Sequence, residues 1–196
     1  MVAEHLAMFY VRGEIALDEP LLARFFEAAS PEGLARITSF SGLVATQEGS
    51  ELPTDVVERF KLLWEHLETD VWPRRQDSRA MLQAFGDWFS CSAFAFEWRV
   101  KHLRFVMETT GVGSHLYSTM KTLKTEVSDH PIDVLNTLYA IASSPSLNLY
   151  EVLDFRDILD ALKADTTLEV TTGVNRLVNY VMSLGVIDEF KPYYRV

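Results

Sequence analysis

Apolar positions recur at helical spacing along this chain, and strict alternation of apolar and polar residues is nearly absent. The pattern predicts an all-α fold. Ala3 to Arg12 reads as a first helix, stopped by Gly13. Asp18 is placed to cap a second, with Pro20 in its first turn and Leu21, Leu22, Phe25, Phe26 and Ala29 facing inward. Ser30-Pro31 ends that helix and starts a third, whose stripe is Leu34, Ile37, Ser41 and Val44 with Phe40 alongside, before a polar loop from Thr46 to Glu51. Pro53 opens a fourth, in which Val56, Val57, Phe60, Leu63, Trp64 and Leu67 keep the helical period. Because Pro73 disfavours helix at Trp72, the segment from Val71 to Arg75 reads as a connector.

The stretch from Met81 to Met107 carries Phe85, Trp88, Phe89, Phe94, Phe96, Trp98 and Phe105 around a break of small residues, Ser90 to Ala93. It predicts a hairpin of two amphipathic helices with an aromatic inner face, opened by a cap at Asp77 or Ser78. A glycine-bearing turn, Thr109 to Gly113, follows, and then a helix marked by Leu116, Met120, Leu123 and Val127. Pro131 restarts the pattern with Val134, Leu135, Leu138, Ile141 and Ala142; Ser143 to Ser146 breaks it, and Phe155, Ile158, Leu159 and Leu162 resume it. Thr166 to Thr172 is β-branched, and Gly173 costs about 1 kcal/mol in a helix interior. The period of Val170, Val174, Leu177, Val178 and Val181 nevertheless predicts a helix over 168–184, ended by Gly185. A short last element, Asp188 to Tyr194, lays Phe190, Tyr193 and Tyr194 back on the rest.

These segments amount to about ten helices, with pairs recurring at very roughly forty residues, the interval of helical-repeat proteins. The expected architecture is one domain, 1–196, of antiparallel helix pairs stacked as an α-solenoid, with an irregular helical array as the alternative. The first helix begins without a capping Ser, Thr, Asp or Asn, which favours an excised fragment of a larger protein.

Composition narrows the function classes. The 196 residues are 48% hydrophobic, enough for a substantial core without a metal or disulfide. A net charge of −10 opposes contact with a phosphate backbone or an anionic membrane, so neither nucleic acid nor membrane is an expected partner. Met1 to Glu14 has no signal-peptide pattern, no apolar run reaches membrane-spanning length, and the single Cys91 suits a reducing compartment. These features predict a cytoplasmic protein.

The candidate chemistry is sparse. Cys91 carries no nucleophile signature and reads as a small packed hydrophobe, although His102 is the base it would need. His5, His66, His102, His115 and His130 lack metal-ligand spacing, and Gly111-Val-Gly-Ser114 lacks the lysine of a phosphate loop. No cofactor or metal is therefore expected, and no catalytic role. Glu151, Asp154, Asp157, Asp160 and Asp165 form the clearest charged feature, read as a solvated helix face and, after that, as a contact for a basic protein. Trp72, off the apolar stripes and beside Arg74 and Arg75, is the expected exposed aromatic. The candidate partner-contact residues are thus Trp72, Arg74, Arg75, Asp154, Asp157 and Asp160.

Several short patterns occur in order: LLARFF at 21–26, FKLLWE at 60–65, AFGDWF at 84–89 ahead of Phe96-Glu97-Trp98, and Arg176-Leu177-Val178-Asn179 followed by Leu184-Gly185 and Glu189-Phe190. Together they resemble the C-terminal helical region of uncharacterised large bacterial multidomain proteins whose upstream parts look nucleotide-binding or sirtuin-like and which are suspected of antiphage defence. The resemblance implies a HEAT-like, non-catalytic interaction or sensor module whose partner is another protein or the upstream domains of the same polypeptide. Two other classes compete. A small all-helical enzyme would gather Cys91, His102 or the Asp154 to Asp160 carboxylates into a deep polar pocket, and a homodimeric structural protein would use an exposed aromatic patch.

Overall fold

The computed structural model describes residues 2–48, 51–111, 115–144, 147 and 152–194. Met1, Glu151, the end of the expected loop at 49–50, part of the expected turn at 112–113 and part of the expected break at 145–146 lie outside the described residues. The fold is all-α, with no strand among the described residues. It forms two compact units: Met1–Ala95 with Gly113–His115, and Phe96–Val112 with Leu116–Val196. The boundary falls inside the expected aromatic hairpin, so its two halves belong to different units.

In the first unit, α1 (Val2–Val11) and α2 (Pro20–Ala28) precede the long α3 (Pro31–Glu48) and α4 (Thr54–His66). Gly13, at φ +73°, turns the chain out of α1 as expected. Glu19, not Asp18, occupies the cap position of α2, and no side chain bonds there. Pro20 at the first helical position supplies the preset φ instead. Leu21 also departs from the expected stripe; it is exposed, whereas Leu22 and Phe26 are buried. Ser30 Oγ accepts the Gly33 N–H at 3.2 Å and so caps α3.

The polar loop expected from Thr46 begins later, because α3 continues to Glu48. Thr46 Oγ1 donates to the Asp87 carbonyl at 2.7 Å, and that bond fixes the extra turn. The expected connector at Val71 is likewise helical: α4 widens into a π turn over Leu67–Val71 and tightens into a 3-10 turn over Trp72–Arg74. The wide turn, in which the Trp72 N–H reaches the Leu67 carbonyl, carries the chain into Pro73, which has no N–H of its own to place. Two short helices, α5 (Arg79–Gln83) and α6 (Phe85–Phe89), follow and pack on α3. Ser78 stands at the cap position of α5, one of the two expected residues, but without a side-chain cap bond.

The aromatic density of this unit is core. Phe60, Trp64, Phe85, Trp88 and Phe94 are all buried, with ring centroids 4.3 Å apart for Trp64 and Phe85 and 5.7 Å for Phe60 and Trp88. The Trp88 indole N–H donates to the Thr38 carbonyl at 2.8 Å, which satisfies its polar atom and locks its orientation on α3.

In the second unit, α7 (Phe96–Thr110) packs on α9 (Pro131–Ala142), α8 (Leu116–Glu126) packs on α10 (Phe155–Ala161), and α9 packs closely on α11 (Leu168–Ser183). Every expected inward residue of α9, Val134, Leu135, Leu138, Ile141 and Ala142, is buried, as are Phe155, Ile158, Leu159 and Leu162. Asp165 Oδ1 accepts the Thr167 N–H at 2.9 Å and turns the chain into α11. The β-branched start of α11 is helical because its stripe, Val170 to Val181, is buried at the helical period. Gly173 has a packing reason: a Cβ there would come within 2.9 Å of Leu135 Cδ1, so its absence lets α11 lie close to α9. Gly185, at φ +102°, ends α11, and its N–H donates to the Met182 carbonyl at 3.0 Å. The chain closes with α12 (Ile187–Phe190) and a 3-10 turn, Lys191–Tyr193; Phe190 is buried while Tyr194 stays exposed.

Candidate functional site

The expected contact residues fall on two surfaces, one in each unit. In the second unit, α8 and α10 enclose a groove of about 280 Å³ lined by Tyr117, Lys121, Lys124, Asp154, Asp157 and Ile158. The inward stripe of α8 buries Met120 and Leu123, and Tyr117, Lys121 and Lys124 lie along the flank of that stripe, where Met120 joins them in lining the groove. On α10 the same division buries Phe155, Ile158 and Leu159 and leaves Asp157 and Asp160 in solvent, with Asp154 exposed at the cap position. Lys124 Nζ lies 2.7 Å from Asp157 Oδ2, so the groove is crossed by an exposed ion pair. Tyr117 stands at its edge with 82% of its surface in water.

Asp160 faces away from this groove. Its Oδ1 lies 2.6 Å from Lys163 Nζ and accepts the Tyr193 hydroxyl at 3.0 Å. The lysine bond first, and the tyrosine bond second, hold the Asp160 carboxyl below its usual range; the same ion pair raises Lys163. Desolvation and the carboxylate together raise the Tyr193 hydroxyl. Asp160 thus ties the chain's last described turn to α10.

In the first unit, Arg74 and Arg75 line a second groove of about 380 Å³ with Asp18, Phe26, His66 and Asp70. The π turn sets its wall: His66 Nδ1 lies 3.3 Å from Asp70 Oδ2, and Arg74 Nη2 lies 3.9 Å from Asp70 Oδ1. Arg74 is well exposed, but Arg75 is engaged with the fold. Its Nη1 donates to the Phe26 and Glu27 carbonyls at 3.2 Å each, and its Nη2 donates to the Ala29 carbonyl at 2.8 Å. These are carbonyls at the C-terminal end of α2 that have no further helical turn to bond them, so Arg75 works as that helix's cap. The same guanidinium bonds Asp77 and lowers its carboxyl pKa. Trp72 is half-buried, and Tyr117 rather than Trp72 is the most exposed aromatic ring among the described residues.

Cys91 and His102 belong to different units, and each is packed. The Cys91 thiol donates to the Ala45 carbonyl at 3.2 Å, and the His102 ring lies 4.5 Å from that of Trp98. Among the described residues no group of three or more His, Cys, Asp or Glu side chains is arranged to hold a metal. No described helix is long and apolar enough to cross a membrane.

The residue that sequence reasoning missed is Tyr117. Its signal was present: it stands one position off the Leu116, Met120, Leu123 and Val127 stripe, and an aromatic ring out of register on an amphipathic helix points to solvent. Comparison with known proteins gives no match to any family model, curated protein or solved structure.

Proposed function

We propose that this chain is a non-catalytic helical-repeat recognition module, HEAT-like in its use of packed helices, that makes protein contacts for a larger bacterial polypeptide. The observation that carries the reading is the α8–α10 groove, where the exposed Tyr117 ring stands beside Lys121, Lys124, Asp154 and Asp157. An aromatic ring flanked by charges is the chemistry of interface hot spots, since the ring supplies area at low entropic cost and the charges set orientation. Two further observations support it. Cys91 and His102, the reactive groups an enzyme would use, serve packing, and Asp160 serves a structural bond. A cytoplasmic setting and a role in antiphage defence are part of the proposal; the first rests on the N-terminal pattern and the single Cys91, the second on the sequence resemblance described above.

The test uses the product of the complete reading frame that encodes this chain. Calorimetric titration of the chain with the remaining domains should give measurable association, and Tyr117→Ala with Lys121→Ala should weaken it by about tenfold or more. Unchanged affinity in that double variant, or a remainder that does not associate with the chain, would overturn the reading.

A further inference from the structure

The α8–α10 groove carries two pairs of opposite charge, and the pairs are in different states. Lys124 and Asp157 are joined across it, with more than half of each side chain still in water. Lys121 and Asp154 line the same groove, yet neither side chain makes an ion pair or a hydrogen bond among the described residues. The other charges of the two helices are engaged elsewhere. Glu126 is paired with Arg99, Asp160 with Lys163, and Arg156 Nε donates to the Leu153 carbonyl at 3.3 Å. Among the described residues the groove is therefore balanced in formal charge, with one cation and one anion left open.

In water the open pair loses little by standing apart, because an exposed ion pair contributes little to stability. Covering the groove changes that. Tyr117 stands at its edge with 82% of its surface in water, while Met120 and Ile158, both buried, supply its apolar floor. An occupant that packs on the Tyr117 ring and reaches this floor strips water from Lys121 and Asp154 together. A charge taken out of water without a partner costs more than a formed pair gains. An occupant that is only acidic, only basic or only apolar leaves at least one of the two without a partner of its own. Lys124 and Asp157 make no such demand, since each already has the other.

We propose that the partner held by this groove is a protein segment of mixed charge, which sets an aspartate or glutamate against Lys121 and a lysine or arginine against Asp154 while an apolar side chain covers Tyr117. The inference rests on the recognition reading above and names the chemistry of its partner. Opposite signs at two points also fix which way round the segment lies, and they penalise a partner that carries either sign alone.

The probe is the remainder of the polypeptide encoded by the complete reading frame, titrated calorimetrically with the chain. Lys121→Gln and Asp154→Asn should each weaken association by about tenfold or more. The two substitutions move the net charge in opposite directions, so weakening by both does not come from general attraction. Lys121→Glu with Asp154→Lys leaves the net charge at −10 and should bind more weakly than either single variant, because each new charge then meets its like. Circular dichroism should find the fold and melting temperature of the parent in all three, as neither side chain makes a bond within the fold.

Association that is unchanged or tighter in either single variant would overturn the proposal. A tighter Asp154→Asn marks an acidic partner, and a tighter Lys121→Gln marks a basic one. Parent-like binding by the exchanged pair would overturn it as well, because Lys121 and Asp154 would then close on each other beneath an apolar partner. In each of these outcomes a loss of association in Tyr117→Ala would still uphold the recognition reading, whereas a remainder that does not associate with the chain overturns both.

Discussion

Alanine is ordinarily the better residue inside a helix, by about 1 kcal/mol over glycine. At Gly42, in the middle of α3, the structure reverses that expectation. A Cβ built there would lie 2.5 Å from Trp88 Cδ1 and 2.9 Å from both Trp88 Nε1 and Asp87 Cβ. None of these atoms is the loose end of a flexible chain. The Trp88 ring is fully buried, packed among Phe60, Trp64 and Phe94, and held by its bond to the Thr38 carbonyl. Room for a methyl group therefore requires α6 to withdraw from α3 or the ring to tilt off that carbonyl. Overpacking of this kind costs about 1–3 kcal/mol. Straining the hydrogen bond adds about 1 kcal/mol. Set against the helix-propensity gain, Gly42→Ala should destabilise by about 1–3 kcal/mol. Urea unfolding followed by far-ultraviolet circular dichroism measures it. The same substitution in a Trp88→Phe background should cost less, because the smaller ring leaves room, and the difference between the two is the coupling of the pair. A Gly42→Ala protein as stable as the parent, or more so, would refute the packing argument.

Two further substitutions separate structural from contact roles. Arg75→Ala should cost about 1–3 kcal/mol by leaving the α2 carbonyls without their donor, and Arg75→Lys should fail to restore it because one ammonium cannot span three carbonyls; equal stability of Arg75→Lys and the parent would return Arg75 to the list of contact residues. The Asp160 carboxyl is lowered in the folded chain, so its bonds to Lys163 and Tyr193 are fully formed above the ordinary carboxylate range and are lost as pH falls through the lowered value. Nuclear magnetic resonance should find its titration midpoint below the ordinary aspartate range, and Lys163→Met should move it back up; a midpoint within or above that range in the parent would contradict the assignment.

The parts of the fold that were legible in the sequence are those where one physical signal dominates. Helix α9 has a proline at its first position and a single buried stripe, and both survive intact. Helix α11 looked ambiguous because local β-branching opposed its period, and tertiary burial of Val170, Val174 and Val178 decided for the period. The π turn after α4 was not legible. The rule that proline disfavours helix in the preceding residue is local, whereas the wide turn is a way of absorbing Pro73 while keeping Leu67 and Val71 buried. Arg75 looked like an exposed cation because its partners, the carbonyls of α2, lie in a distant part of the sequence. The open side of α3 was hidden for a different reason: Leu34, Ala35, Ile37, Phe40 and Leu43 are all apolar, and periodicity alone does not say that the neighbouring helices cover Leu34 and Ile37 but leave Leu43 exposed.

Tyr117 offers the most direct test of the recognition reading, since its ring is the most exposed aromatic side chain among the described residues and needs no substitution to report on its surroundings. Hydroxyl-radical footprinting, with the modified residues read by mass spectrometry, compares the purified chain with the same chain inside cells that express it at its native level. If Tyr117 is an interface residue, it will be oxidised quickly in the purified chain and several-fold more slowly in the cell, while the exposed Tyr194 of the same unit keeps its rate. Equal oxidation of Tyr117 in both settings would contradict the recognition reading.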